Sequence, residues 1–256
     1  MTEGALTVDL NADVGEGLGA WQMGDDATLL GLVSSASVAC GFHAGDPTIM
    51  HRTCEYAAEN GVAIGAHVSY RDLVGFGRRD LDIAPAELIG DVLYQLGALA
   101  GIAQAAGTEV RYVKAHGALY NRIVHDRAQA AAFVEAVRRY RSDLPVVTLP
   151  GSVVVELAAE AGLPTVIECF ADRAYTAAGT LVSRREPGSV LHDPGLIAAR
   201  VVRMVTERRV ETIEGHDIGI EAVTICLHGD NPDAVRAARE VRAALLAAGV
   251  SIGPFA

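Results

Sequence analysis

The sequence predicts an α/β fold in which about seven parallel β-strands alternate with helices and close, or nearly close, into one barrel. Short apolar runs recur along the chain, segments with helical spacing separate most of them, and no linker rich in Ser or Gly divides the 256 residues. Such runs are typical of strands buried on both faces. The expected strands are 6–10, 36–40, 62–66, 110–113, 145–149, 165–169 and 222–227. Residues 1–256 should therefore form a single domain, with an open doubly wound sheet as the main alternative.

The clearest helical pattern lies between the third and fourth expected strands. Apolar residues recur every three or four positions across 85–106, at Leu88, Val92, Leu96, Leu99 and Ala103. Other helices should begin where an Asx residue precedes proline, at Asp46-Pro47, Asp193-Pro194 and Asn231-Pro232. Helices should end at Gly61, Gly107, Gly162 and Gly249. Strand, helix and strand joined by short connections indicate right-handed βαβ units.

The stretch 174–192 fits neither a strand nor a helix. It contains two glycines and the paired arginines of SRREPG. This composition predicts an inserted loop or a short hairpin.

Composition and charge restrict the function classes. The net charge of −11 disfavours nucleic acid and anionic membranes as partners, because both are negatively charged. The N-terminus lacks the basic flank and apolar run of a signal peptide, and no apolar stretch approaches the length of a membrane span. The four cysteines are far apart and form no CxxC pair, as is typical of reduced thiols. We therefore expect a cytoplasmic protein.

Polar residues follow most of the expected strands at the point where each strand ends. In a parallel barrel these ends converge on one face, where ligands bind. The segments DLNADVGE, CGFHAGD, GAHVSY, KAHGALYN, CFADRAY and LHGDNP supply Asn11, Asp13, Glu16, His43, His67, Lys114, His116, Asp172, Arg173, His228 and Asp230. Acids, histidines and a lysine gathered at one rim predict an enzyme.

Two interpretations of the histidines stay open. Asp13, His43 and His67 come from three different strand ends and could hold a divalent metal through oxygen and imidazole ligands. The same histidines could instead form structural hydrogen bonds, because no HxH or HExxH spacing is present. Lys114, two positions before His116, can also face the barrel interior. A buried lysine there would act as a charge partner, an electrophile or a base.

The segment GFGRRDL places two arginines in the loop after the third expected strand. Arg78 and Arg79 could bind a carboxylate or phosphate through bidentate hydrogen bonds, or form a solvated surface pair. The glycines of GEGLG match neither GxGxxG nor the P-loop pattern. No nucleotide-binding motif is therefore predicted.

Taken in order, six segments resemble the LamB/YcsF family from about Val8 to the end of the chain. They are DLNADVGE, SVACGFHAGDP, GAHVSYRDLVGFGRRDL, YVKAHGALYN, FADRAY and CLHGD. The resemblance implies a distorted (β/α) barrel similar to the glycoside hydrolase/deacetylase superfamily. It also implies hydrolysis of the lactam of 5-oxoproline to glutamate, coupled to ATP hydrolysis, together with two further subunits, B and C. Family members usually read SANIACG, GAHP and KPHG where this chain has Ser37, Val68 and Ala115.

The implied reaction suggests a role for each rim residue. ATP, with Mg²⁺, can activate the stable lactam by phosphorylating its amide oxygen. We expect Asp13 or Asp172 to act as the base for water, and His67 and His116 to carry protons. Lys114 and Arg79 should bind phosphate or the substrate carboxylate. The residues expected to complete the substrate and phosphate site are Asn11, Glu16, His43, Arg78, Arg173, His228 and Asp230.

The site of ATP binding and two alternative functions stay open at the level of sequence. ATP could bind this chain or its partner subunits. The main alternative function is a metal-dependent deacetylase or amidohydrolase that uses Asp13, His43 and His67 as ligands. A non-catalytic component of a complex is the least favoured alternative, because a scaffold does not need Lys, His and Asp gathered in a barrel mouth.

Overall fold

The computed structural model describes residues 6–228 and 233–256. The strands are β1 (Thr7–Val14), β2 (Ser35–Ala39), β3 (Ala63–Val68), β4 (Val110–Ala115), β5 (Val146–Thr148), β6 (Thr165–Phe170), β7 (Arg209–Glu211), β8 (Asp217–Gly219), β9 (Thr224–Leu227) and β10 (Ser251–Ile252). The helices are α1 (Asp26–Leu30), α2 (Pro47–Glu59), α3 (Pro85–Ala105), α4 (Gly117–Arg122), α5 (Arg127–Tyr140), α6 (Val153–Glu160), α7 (Pro194–Thr206) and α8 (Ala234–Ala247).

Seven parallel strands close into a barrel, as predicted. Their order is β1-β2-β3-β4-β5-β6-β9, and β9 pairs with both β6 and β1. This closure excludes the open doubly wound sheet. The short β10 adds to the first residues of β1, while β7 and β8 form a separate antiparallel hairpin, and neither feature was predicted.

Strand β1 is longer than the expected run 6–10 and carries polar residues into the barrel. It continues to Val14, and all of its residues except the first are buried. Side chains alternate between the two faces of a strand. Asp9, Asn11 and Asp13 therefore share the face that points to the interior, where they contact side chains of other strands. The apolar Leu10 lies on the opposite face, towards the helices.

Local sequence determines most helix boundaries. Asp46 accepts hydrogen bonds from the backbone N–H groups of Thr48 and Ile49 at the start of α2, and Asp193 caps α7. The expected start at Asn231-Pro232 lies outside the described residues. Gly61, Gly107, Gly162 and Gly249 all have positive φ just after a helix.

Helix α3 covers the barrel and contacts α5 and α2. Its predicted apolar stripe is fully buried. The helix is also long and apolar enough to cross a membrane, with a mean hydropathy of 1.3 in its most apolar window. A core helix of a globular domain meets the same criterion, so this property alone does not indicate a span.

Residues 174–192, which we call the arm, run along the open end of the barrel. They form no regular strand, but isolated bridges join Tyr175 to Leu181 and Arg173 to Val190. The inserted loop predicted here is therefore present. It contributes one wall of the cavity at this end of the barrel.

Candidate active site

A cavity of about 590 Å³ opens at the carboxyl ends of the strands. Asp13, His67, Lys114 and His116 reach it from β1, β3, β4 and the turn after β4, and the arm closes one side. Parallel strands deliver their carboxyl ends to the same rim, which explains why residues so far apart in sequence meet. The cavity wall combines histidines and acids with arginines.

Lys114 lies at the floor of the cavity and is 2% exposed. Its Nζ atom lies 3.0 Å from Oδ1 of Asp13 and 2.7 Å from Oε1 of Glu168. Longer contacts join it to Oδ1 of Asn11 at 3.4 Å and to Sγ of Cys226 at 3.2 Å. The ammonium group is therefore surrounded by acceptors.

These contacts determine the protonation of the lysine and its carboxylate partner. Burial alone would lower the pKa of Lys114, but the carboxylates of Asp13 and Glu168 outweigh it and hold that pKa well above its usual value. Burial would raise the pKa of Asp13, yet contacts with His67 and Lys114 hold it well below its usual value. Lys114 is thus a cation at neutral pH, which makes it a charge partner or electrophile rather than a base.

Three histidines form a connected group beside this ion pair. His67 Nε2 lies 3.2 Å from Oδ2 of Asp13 and 2.9 Å from Nδ1 of His116. His116 Nε2 lies 2.9 Å from the carbonyl oxygen of Phe76. His43 Nε2 lies 3.2 Å from Oε1 of Glu16. Because a carbonyl can only accept, His116 donates from Nε2, and its Nδ1 accepts the proton of His67.

The imidazole of His43 stacks on that of His116, with ring centroids 3.7 Å apart and planes inclined by 7°. Burial holds the pKa of both side chains well below the usual histidine value. Both rings are therefore neutral at neutral pH. His43 is not among the residues that line the described cavity, but it supports the histidine that does.

The backbone of residues 72–79, which we call the β3 loop, brings the Phe76 carbonyl to His116. Phe76 and Gly77 both have positive φ. A Cβ on Gly77 would lie 2.7 Å from Cδ2 of His116 and would also meet Ser69, so glycine permits this close approach. The buried Asp72 closes the loop by accepting hydrogen bonds from the N–H of Gly75 at 2.9 Å and from Nε of Arg79 at 2.8 Å.

Asp172 and His228 form a second acid–imidazole pair. Nδ1 of His228 lies 2.7 Å from Oδ1 of Asp172, and Nε2 lies 2.9 Å from Nη2 of Arg184 on the arm. An arginine can only donate, so Nε2 is the acceptor and Nδ1 carries the proton given to Asp172. Burial would raise the pKa of Asp172, but His228 and Arg184 outweigh it and the pKa lies below its usual value.

The arginines expected or found near the rim lie in different environments. Arg78 lines the cavity, as do Arg184 and Arg185 of the arm. Arg173 lines it too, but its buried guanidinium donates to the carbonyls of Val182 and Ser189 and so holds the arm in position. Arg79 is bound to Asp72 and is not part of the described cavity wall.

Among the described residues, two groups bring ligand atoms close enough for a metal ion. Glu16, His43, His67 and His116 offer atoms within 4.8 Å of one another. Each metal–nitrogen bond lies in the plane of its ring, so the parallel, stacked rings of His43 and His116 cannot both ligate one ion. An ion here would take Glu16, His67 and one of the stacked pair. In the second group, Asp13, Cys226 and His228, the Lys114 ammonium already contacts the acid and the thiol.

The structure brings together most of the side chains that sequence reasoning selected. Asp13 contacts His67 but lies outside the histidine group, so the expected set of Asp13, His43 and His67 does not converge as one cluster. Asn11 lies beneath Lys114 and is 1% exposed. Asp230 lies outside the described residues.

Residues of the site that sequence reasoning did not select include Tyr120, Glu168, Arg184, Arg185 and Cys226. Glu168 left a detectable pattern, because it is a charged residue inside the apolar strand β6. Its neighbours on the opposite face of the strand are apolar, which indicates an acid that points into the barrel. Arg184 and Arg185 stand out in the sequence only as a pair in a predicted loop, a pattern that does not indicate a position at the cavity.

Comparison with known proteins agrees with this architecture. The LamB/YcsF family matches residues 8–256. A protein from Pseudomonas syringae pv. tomato, named as an A subunit of 5-oxoprolinase, is 59% identical over 249 residues, covering 97% of each chain. One from Photorhabdus laumondii with the same designation is 58% identical, covering 97% of this chain and 98% of the relative.

Solved structures with the same fold include a relative and a more distant protein. The lactam utilization protein from Thermus thermophilus is 46% identical, with a TM-score of 0.93, covering 98% of this chain and 100% of that one. A deacetylase solved with substrate shares the fold at 15% identity, with a TM-score of 0.51, covering 97% of this chain and 87% of that one. The protein is thus a closed (β/α) barrel of seven parallel strands, a fold that it shares with that deacetylase, and the chain belongs to the LamB/YcsF family.

Proposed function

We propose that this chain is the catalytic component of an ATP-dependent 5-oxoprolinase, which hydrolyses the lactam of 5-oxo-L-proline to L-glutamate. The observation that carries the proposal is the 59% identity, over 97% of both chains, to a protein named as an A subunit of that enzyme. The geometry of the cavity supports it, because a buried cation, an arginine wall and an oriented imidazole meet there.

The substrate is an anion, and the cavity supplies fixed positive charge for it. Lys114 presents its ammonium at the floor, while Arg78 and Arg184 line the side. In a site screened from water such groups stabilise a carboxylate and the negative charge that develops on the lactam oxygen. Phosphorylation of that oxygen by ATP would add further negative charge for the same groups to bind.

We assign the role of general base to His228. The two carboxylates considered as bases, Asp13 and Asp172, both have pKa values held below the usual range, which makes them weak bases. Nε2 of His228 is an acceptor at the cavity wall, and Asp172 holds the ring through Nδ1. In the proposed step Arg184 leaves Nε2 to bind the substrate anion, and Nε2 takes a proton from water as the oxygen adds to the carbonyl carbon.

Breakdown of the tetrahedral intermediate completes the reaction. The carbon–nitrogen bond of the ring breaks, and the leaving nitrogen takes a proton from His67. Nδ1 of that ring donates to the carbonyl of Lys114 at 3.3 Å and Nε2 lies between Asp13 and His116, so the ring that gives up its Nε2 proton is left as neutral imidazole. His116 remains linked to the Phe76 carbonyl, so it keeps His67 oriented throughout. Where ATP has phosphorylated the oxygen, ring opening leaves an acyl phosphate and a free amine. A second water hydrolyses the acyl phosphate, so that glutamate, ADP and phosphate are formed.

A divalent metal is an optional part of the proposal. Glu16, His67 and one of the two stacked histidines would hold it, and such an ion would polarise the carbonyl oxygen as a Lewis acid. His67 would then be a ligand in place of its role as proton donor. ATP with Mg²⁺ could bind this chain or a partner. The relatives are named as one component of an enzyme with several chains, which supports assembly with others, and we infer that these are the B and C subunits. The four buried free cysteines support a cytoplasmic location.

The proposal is tested by reconstitution. Purified chain, its candidate B and C partners, 5-oxoproline and ATP should together form glutamate and ADP in equal amounts, and each mixture that lacks one protein should form none. Glutamate formed by this chain alone without ATP, and lost on chelation, would instead support the metal-dependent amidohydrolase. That alternative is not favoured, because the likeness to the deacetylase is at 15% identity and concerns the fold alone.

A further inference from the structure

The barrel interior beneath the cavity contains a second carboxylate that the proposed steps do not use. Glu168 lies on β6 and is 0% exposed. Its Oε1 atom lies 2.7 Å from Nζ of Lys114 and accepts a hydrogen bond from Nδ2 of Asn11 at 3.0 Å. Its Oε2 atom accepts from the hydroxyl of Tyr120 at 2.9 Å. Both oxygens are therefore held, and the carboxylate cannot rotate freely.

We propose that Glu168 is a positioning residue, which holds the Lys114 ammonium at the cavity floor and balances its charge from below. This inference uses the proposed function only to supply a reaction; the arrangement of Glu168 and Lys114 can be tested without it. Asn11 was expected from the sequence to bind substrate. Because it contacts Glu168 and Lys114, it instead helps to hold these two side chains in place.

The reason lies in the two carboxylates that share one ammonium. Asp13 lies at the mouth and also contacts His67, whereas Glu168 lies below and has no contact with the histidines among the described interactions. Without Glu168, Asp13 would be the remaining carboxylate that attracts the ammonium. The flexible lysine side chain would then move towards the mouth, and the cation would be displaced from the lactam oxygen on which negative charge develops in the reaction.

Stability alone does not require this pair. Replacing a buried ion pair with apolar residues of similar volume is often neutral or stabilising. The same barrel shows how an acid is buried for structure: Asp9, at the opposite end of β1, accepts hydrogen bonds from Ser34 at 2.6 Å, from Ser35 at 2.7 Å and from Thr224. Among the described contacts it meets no lysine or arginine, and burial raises its pKa. Asp9 reaches Asn11 only through Thr224, and none of its described contacts is with Lys114. Asp9→Asn therefore controls for the loss of an acid from this interior without a direct change at the ammonium.

The test compares Glu168→Gln with Asp9→Asn in the reconstituted complex. We expect Glu168→Gln to lower kcat by about 10²-fold, as loss of one preorganised electrostatic contact does, with KM changed less than about threefold. Asp9→Asn should keep kcat within about threefold, while the melting temperatures of the two variants should change by similar amounts. A kcat within threefold of wild type for Glu168→Gln, or an equal loss in both variants, overturns the proposal.

A spectroscopic measurement on the isolated chain separates this inference from the proposed function. The ¹⁵N signal of the Lys114 ammonium, assigned by its loss in Lys114→Arg, should be shifted or lost to solvent exchange in Glu168→Gln and kept in Asp9→Asn. An unchanged signal in Glu168→Gln overturns the positioning role, even if the complex fails to hydrolyse 5-oxoproline. If the Gln variant does not fold, Glu168→Asp keeps the charge but shortens the side chain. It should fold yet lose at least about tenfold in kcat, and full activity would contradict the proposal.

Discussion

Nδ1 of His228 lies 2.7 Å from Oδ1 of Asp172, although the two residues are 56 positions apart in the chain. They follow β9 and β6, which are adjacent strands of the barrel. The pairing determines which nitrogen of the imidazole carries the proton and leaves Nε2 at the cavity wall as an acceptor.

The first prediction concerns this pair. His228→Gln should lower kcat by about 10²–10⁴-fold, since it removes the general base, and Asp172→Asn should cause a smaller loss because the imidazole is only misoriented. KM should change little in either variant. Steady-state kinetics of the reconstituted complex measures kcat and KM, and the exposed His125→Gln is the control. Near-normal turnover of His228→Gln would exclude it as the base.

The second prediction concerns the ion pair of Lys114 and Asp13. Lys114→Met leaves buried carboxylates without their cation and should lower the free energy of unfolding by about 3–5 kcal/mol. Adding Asp13→Asn should restore part of the loss, with a coupling of about 1–3 kcal/mol. Urea unfolding of the wild type, both single variants and the double variant measures this coupling. Additive losses would show that the two side chains do not stabilise each other.

The third prediction separates the arginines by position. Arg184→Gln removes a cation from the cavity wall and should raise KM for the anionic substrate by about tenfold, the equivalent of roughly 1.4 kcal/mol. Arg208→Gln, which changes an exposed arginine between α7 and β7 that contacts Glu221, should leave KM unchanged. Initial rates over a range of 5-oxoproline concentrations distinguish the two. Equal effects would mean that the arm does not bind substrate.

The fourth prediction uses the pH dependence of Asp72. Its hydrogen bond with Arg79, helped by the N–H of Gly75, outweighs burial and lowers the pKa of the carboxyl below its usual value. The folded state therefore binds the proton less readily than the unfolded state. The stabilisation is complete above the unfolded pKa of about 3.9 and is lost as the pH falls through the folded value.

Asp72→Asn should thus lower the free energy of unfolding by about 1–3 kcal/mol at pH 7. The difference from wild type should shrink below about pH 4. Chemical unfolding at pH 3 and pH 7 measures both quantities. A difference that stays constant over this range would show that the carboxylate charge does not hold the β3 loop.

The fifth prediction compares two glycines with positive φ. Gly77→Ala would place a Cβ against Ser69 and His116, whereas Gly107→Ala would meet no atom within 4 Å. Gly107→Ala should lower the free energy of unfolding by about 1–2 kcal/mol, through backbone strain alone. Gly77→Ala should lower the free energy of unfolding by more than this. It should also lower kcat, because it moves the Phe76 carbonyl away from His116. Thermal unfolding and kinetics of both variants test this, and equal behaviour would contradict the close approach.

Features that depend on local pattern followed from the amino-acid sequence alone. The apolar runs predicted the seven barrel strands, and Asp46-Pro47 predicted the start of α2, because strand burial and helix capping involve residues that are neighbours in the chain. The rim position of Asp13, His67 and Lys114 also followed, since parallel strands all end on one face. The family motifs then indicated the reaction.

The partner that each side chain meets depends instead on how distant segments pack. Asn11, expected at the rim, lies below Lys114 because β1 continues to Val14 and turns that side chain inward. Glu168 and Arg184 became part of the site through contacts across the barrel and from the arm. The partner of each side chain, its distance and its protonation state depend on strand register and on the path of the loops. Register and loop path arise from packing in three dimensions and leave no periodic pattern in the chain.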